Sequence, residues 1–146
     1  METITKSLAE TKQLAADFIN ELSPGVDRAT VVALRGDLGA GKTAFTQGLA
    51  EALGIIETVI SPTFVIEKIY DLPLGSKFKR LIHIDAYRLE RVEELVQLGF
   101  ADLLSEPGHL IVIEWPERVA DVLPAELVNI DFKFIDDTTR SISYGH

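Results

Sequence analysis

No cysteine occurs in the 146 residues, which removes disulfides and thiolate metal sites from consideration and fits a reducing compartment. Histidine is scarce, with three residues, and only His83 stands near a second candidate ligand, Asp85. Two groups without a third make no zinc centre, so His83 reads as a hydrogen-bonded residue of the core. Positive charge is outnumbered: 14 Lys and Arg against 23 Asp and Glu leave a formal net charge of −9. Such a surface does not hold nucleic acid along its whole face, because that needs a stripe of Lys and Arg. No apolar run approaches the length that crosses a bilayer, and Met1 to Lys6 lacks the charged start and apolar core of a signal peptide. The expectation is a cytoplasmic protein with no membrane partner. Neither a repeat nor a low-complexity block nor a long linker divides the sequence. A single domain over residues 1–146 is expected, its core filled from a 47% apolar content.

What is present is organised around Gly36-Asp37-Leu38-Gly39-Ala40-Gly41-Lys42-Thr43, which reads G-x-x-x-x-G-K-[ST], the phosphate-binding P-loop. Glycine tolerates backbone angles that a Cβ forbids, so such a loop folds into a concave nest of N–H groups aimed at phosphate oxygens. The motif has mechanical meaning only between a strand and a helix. Thr30 to Arg35 is a β-forming apolar run, and Lys42 to Leu53 carries Phe45, Leu49, Ala52 and Leu53 at helical spacing. The helix N-terminus adds its dipole and unpaired N–H groups to the cradle. On this reading residues 36–43 bind ATP, Lys42 reaches the β- and γ-phosphates, and the Thr43 hydroxyl serves Mg²⁺.

Before the loop, Ser7 and Glu10 have capping-box spacing, and Leu8, Leu14, Ala15, Phe18, Ile19 and Leu22 form an apolar helical face ending at Ser23-Pro24-Gly25. This helix lies against the sheet or borders the nucleotide base. After the loop, Gly54 is placed to stop the second helix, and Ser61-Pro62-Thr63-Phe64 leads into a strand through Val65, Ile66 and Ile69 to Tyr70. Residue chemistry alone gives Thr63 no role beyond strand entry. Lys77-Phe78-Lys79-Arg80, beside Pro73, Gly75 and Ser76, reads as a solvated hairpin tip rather than an RNA contact. Leu89 to Leu98 reads as an acidic amphipathic helix stopped by Gly99. Leu127 to Phe134 and Arg140 to Tyr144 read as a β-hairpin that extends the sheet.

Two strands end on carboxylates. In Arg80 to Arg88 the two-residue period puts His83, Asp85 and Tyr87 on one face, with Ile82, Ile84 and Ala86 on the other. Leu110 to Ile113 is continuously apolar, as a strand buried on both faces is, and it closes on Glu114 and Trp115. Ligands gather at the carboxyl ends of strands in such sheets. Asp85 and Glu114 are therefore the candidate acids, one on Mg²⁺ and the other positioning water or assisting the metal, with the division between them open. Trp115 either stacks near the nucleotide or packs, and Arg118 supplies charge to the site or a surface ion pair. The fold class implied is α/β: a P-loop NTPase-like three-layer sandwich with a mixed, mostly parallel central sheet and a C-terminal β-hairpin.

Taken together, GDLGAGKT at 36–43, SPTF at 61–64, HIDAYR at 83–88 and EWPER at 114–118 resemble the TsaE family, bacterial ATPases of tRNA threonylcarbamoyladenosine biosynthesis. The resemblance implies Mg-dependent ATP hydrolysis and association with the TsaB–TsaD pair, in which TsaD transfers the carbamoyl group to adenosine 37 of tRNAs reading ANN codons. It implies that hydrolysis resets that complex between turnovers, that tRNA is held by the partners, and that the free chain is a weak ATPase. It also implies that Thr63 lies in a switch-like loop, that Asp85 serves the metal and that Glu114 and Trp115 lie beside the nucleotide. Two alternatives stand against it: a P-loop small-molecule kinase, thinly supported by Arg88 and Arg91 as the basic pair of a lid, and a nucleotide-gated binding module with incidental hydrolysis. A GTPase would need an N-K-x-D signature, which the sequence lacks.

Overall fold

The computed structural model describes residues 2–37, 40–55, 67–87 and 89–144. Their strands form one seven-stranded sheet: β1 (Glu2–Thr5), β2 (Thr30–Arg35), β3 (Glu67–Asp71), β4 (Arg80–Asp85), β5 (His109–Glu114), β6 (Val128–Phe134) and β7 (Arg140–Tyr144), in the order β1-β7-β6-β2-β5-β4-β3. The four central strands, β6, β2, β5 and β4, pair in parallel. Antiparallel β3 closes one edge and the β7–β1 pair the other. The α/β sandwich expected from the sequence is the observed fold, with a mostly parallel centre.

The alternation along each central strand fixes the layers. Val32, Leu34, Leu81, Leu110 and Val112 point into one core, against α1 (Leu8–Glu21) and α2 (Lys42–Ala52). Val31, Ala33, Ile82, Ile84 and Ile113 point into the other, against α3 (Val92–Gln97), α4 (Phe100–Leu104) and a 3₁₀ segment over Pro116–Val122. Phe45 is the centre of the first core, with Phe132 edge-on at 5.4 Å and Phe18 at 5.8 Å. The helices α1 and α2 meet at Gly48, where a Cβ would stand 2.7 Å from Lys12 Cα.

Capping follows the sequence closely. Ser7 Oγ accepts the Glu10 N–H at 3.1 Å, while the Glu10 carboxylate reaches back to the Lys6 N–H. Gly54 and Gly99 adopt positive φ just past α2 and α3.

Several expectations are corrected. Leu8 is exposed rather than part of the apolar face of α1, and Thr11 is buried in that helix instead, its hydroxyl 2.8 Å from that of Thr5. That bond joins α1 to β1, a strand too short and polar to be read from sequence. The helix expected over Leu89 to Leu98 is confined to Val92–Gln97, and the chain resumes helix after Gly99 as α4. Lys77 to Arg80 does lie in the β3–β4 hairpin, with Lys77, Lys79 and Arg80 exposed, but the segment is tied to the fold more closely than a solvated tip would be. Phe78 is 1% exposed, Arg80 pairs with Asp71 at 2.9 Å, and Lys77 Nζ donates to the Ile19, Asn20 and Leu22 carbonyls that end α1. The strand proposed through Val65 and Ile66 is observed from Glu67 onward, its earlier part lying outside the described residues.

Candidate functional site

The glycine loop leaves β2 where only glycine fits. Gly36 has φ +145°, and a Cβ there would stand 2.4 Å from the Phe132 carbonyl oxygen of neighbouring β6. The loop tightens where the Ala40 N–H donates to the Asp37 carbonyl at 3.1 Å, then enters α2 through Gly41 at φ +104°. Leu38 and Gly39 lie outside the described residues, as do Thr63, with the rest of 61–64, and Arg88. Thr43 is the second residue of α2.

Lys42, the first residue of α2, is only 4% exposed. Its ammonium is folded back on the loop: Nζ donates to the Gly36 carbonyl at 2.6 Å and lies 4.0 Å from the centroid of the Trp115 ring. Burial holds its pKa below the usual lysine value of 10.5, and the negative charges of Glu114, Asp85, Glu117 and Asp37 oppose that shift. A buried cation thus faces a ring of acids without being paired to any one of them among the described residues.

Across from the loop, β4 and β5 end level. Asp85 is in register with Glu114, so the two carboxylates sit on adjacent strand tips. By the two-residue period both belong to the α1/α2 side of the sheet, as does His83. Asp85 Oδ1 accepts the Tyr87 N–H at 2.9 Å. Glu114 is 4% exposed, and its Oε2 lies 2.7 Å from Nε2 of fully buried His83.

The chain leaves β5 through Trp115, which at φ 59° is the one non-glycine residue with positive φ among the described residues. That left-handed conformation costs about 1–2 kcal/mol. It aims the indole at Lys42 and at Tyr87, whose ring centroid is 5.0 Å away. Arg118 places its guanidinium 5.2 Å from the Tyr87 ring, where the sequence offered site charge or an ion pair. The Tyr87–Trp115 pair was not legible, since it depends on this backbone turn.

Beside Gly41 and Ala44 lies a cavity of about 300 Å³. It is closed by Ser7 and Thr11 at the start of α1 and by Asp137 and Arg140 on the β6–β7 hairpin. Exposed Leu8 also lines it. Among the described residues no three His, Cys, Asp or Glu side chains gather into a self-sufficient metal site. A hydroxyl and one or two carboxylates are oxygen donors of the kind Mg²⁺ takes when phosphate completes its shell.

Comparison with known proteins is consistent with this geometry. The profile of the family described as Threonylcarbamoyl adenosine biosynthesis protein TsaE matches residues 5–142. The chain is 37% identical over 140 residues to the tRNA threonylcarbamoyladenosine biosynthesis protein TsaE of Rickettsia bellii, covering 95% of this chain and 90% of that one. With the protein of the same name from Bacillus subtilis it shares 39% over 138 residues, covering 92% and 78%. Among solved structures, the crystal structure of Bacillus subtilis YdiB superposes with a TM-score of 0.77 at 33% identity, over 99% of this chain and 83% of that one.

Proposed function

The chain belongs to the TsaE family of tRNA threonylcarbamoyladenosine biosynthesis proteins, and from that premise we propose that it is an Mg-dependent ATPase driving a cycle of that biosynthesis. One observation carries the reading: a buried lysine at the start of α2 faces two carboxylates ending adjacent parallel strands. A lysine in a low-dielectric position, opposite two carboxylates, is a binding site for a polyanion and its cation.

On this reading a triphosphate draws the Lys42 ammonium away from the Gly36 carbonyl and the indole and onto the β- and γ-phosphates. The loop N–H groups and the N-terminus of α2 bind the phosphate oxygens. The nucleoside end extends past Gly41 and Ala44 into the cavity beside them, with Leu8 as an apolar wall for the base. Thr43 and Asp85, with or without Glu114, would hold Mg²⁺, which supplies charge neutralisation to the β- and γ-phosphates when bound. Of the two acids, Glu114 is the better placed to orient water. It is the more enclosed, and its one side-chain hydrogen bond among the described residues leaves an oxygen free.

The partners proposed are TsaB and TsaD, with tRNA reached through them, which suits an acidic chain of net charge −9. Hydrolysis resets the complex between rounds of transfer. The test is reconstitution with TsaB, TsaD, tRNA and threonylcarbamoyl-adenylate, comparing wild type with Asp85→Ala and Glu114→Ala. Both variants are expected to stop after the first round, whereas equal product over many cycles would overturn the reset.

A further inference from the structure

We propose that His83 is a positioning residue for Glu114, holding its carboxylate in the orientation from which it directs the attacking water. The proposal rests on the ATPase reading above. His83 is 0% exposed and lies on β4 opposite Val112 of β5, two register pairs before Asp85 and Glu114 and so on the same face of the sheet. It therefore approaches the Glu114 carboxylate from the core side of the sheet, beneath the strand tips. The carboxylate can only accept, so Nε2 of the imidazole carries the hydrogen and donates it across 2.7 Å to Oε2. Oε1 is left without a hydrogen bond among the described residues, and it is the oxygen available to water.

The same imidazole is an expensive choice for the fold. Its Nδ1 is buried with no hydrogen-bond partner among the described residues, a state that native structures keep only where something offsets it. The preceding residue of β4 on that face is Leu81, and Val112 stands opposite, so an aliphatic side chain would satisfy the packing with no orphaned nitrogen. What an aliphatic residue cannot do is fix the plane of the carboxylate above it. A glutamate has three side-chain torsions, and a single donor from a fully packed ring removes the swing of its terminal one.

Steady-state Mg·ATP hydrolysis by the full chain separates this role from a structural one. His83→Leu should lower kcat about 10- to 100-fold, the usual loss when the partner orienting a functional ligand is removed, with KM within about twofold of wild type. In a Glu114→Gln background the same change should cost nothing further, because its effect runs through Glu114. Where His83→Leu does not fold, His83→Gln and His83→Asn replace it. Glutamine sets an amide nitrogen near the place of Nε2 and asparagine near that of Nδ1, so glutamine should retain kcat and asparagine lose it. A His83→Leu enzyme as fast as wild type, an equal loss in the Glu114→Gln background, or equal rates for the two amides would overturn the proposal while leaving the ATPase reading intact. A wild-type chain that neither binds nor hydrolyses Mg·ATP would overturn both.

Discussion

Lys42 is stabilised in two different ways in the two halves of the proposed cycle, and the difference is measurable. Without nucleotide its charge rests on one carbonyl and an aromatic face, and burial depresses its pKa below 10.5. Between that lowered value and 10.5 the unfolded chain holds more protons than the folded one, so the contribution of Lys42 to stability rises with pH across that window. The penalty is fully present below it. A bound triphosphate favours the ammonium and reverses the shift. Mg·ATP binding should therefore take up protons at alkaline pH, and affinity should fall as pH rises through the Lys42 pKa of the free chain; titration calorimetry in buffers of different ionisation enthalpy reads this directly. Trp115, the only tryptophan, should change its fluorescence on Mg·ATP as the ammonium leaves its face, and Lys42→Ala should lose that response. At this scale the sequence was readable where chemistry follows spacing. The loop residues, and Asp85 and Glu114 at strand tips, come from motif and period alone. The His83–Glu114 bond and the Trp115 contact do not, because each depends on which strands lie side by side or on a backbone angle at one residue.

Among the elements, α1 and α2 are held together by absence as much as by contact. Gly48→Ala would set a methyl against the Lys12 backbone and the Ala15 Cβ, at 2.7 to 2.9 Å, and neither can give way without parting the helices. A loss of about 1–3 kcal/mol is expected, visible as a lower Tm. Lys77→Met should remove the three bonds that close the end of α1, costing about 1 kcal/mol in denaturant unfolding while Mg·ATP affinity stays at the wild-type value. Helix starts and stops were legible here because caps are local: Ser7, Glu10, Gly54 and Gly99 act within a few residues of themselves. Lys77 caps a helix more than fifty residues away, so from sequence it looked like one charge in a solvated run. The strand β1 was missed for a related reason, since four residues carrying one buried side chain give too little period to see.

For the whole molecule, the four parallel strands at the centre of the sheet set the positions of the glycine loop and of the two carboxylates. The sequence implied a mostly parallel sheet and a terminal hairpin, and both are present. That the hairpin would insert with β6 beside β2, so that Phe132 backs the glycine loop, could not be read, because strand order is a property of the assembled fold. That insertion puts Arg140 of the hairpin against the same cavity as Gly41, so the end of the loop, the start of α1 and the hairpin line one cavity. No helix among the described residues is long and apolar enough to cross a membrane. The proposed function requires that the glycine loop and Lys42 together take a triphosphate. Calorimetric titration of the chain with ATP in excess Mg²⁺, beside Lys42→Ala, tests this most directly. Saturable heat with the wild type and none with the variant is the predicted result, whereas no heat at millimolar ATP, or the same isotherm from both proteins, would contradict it.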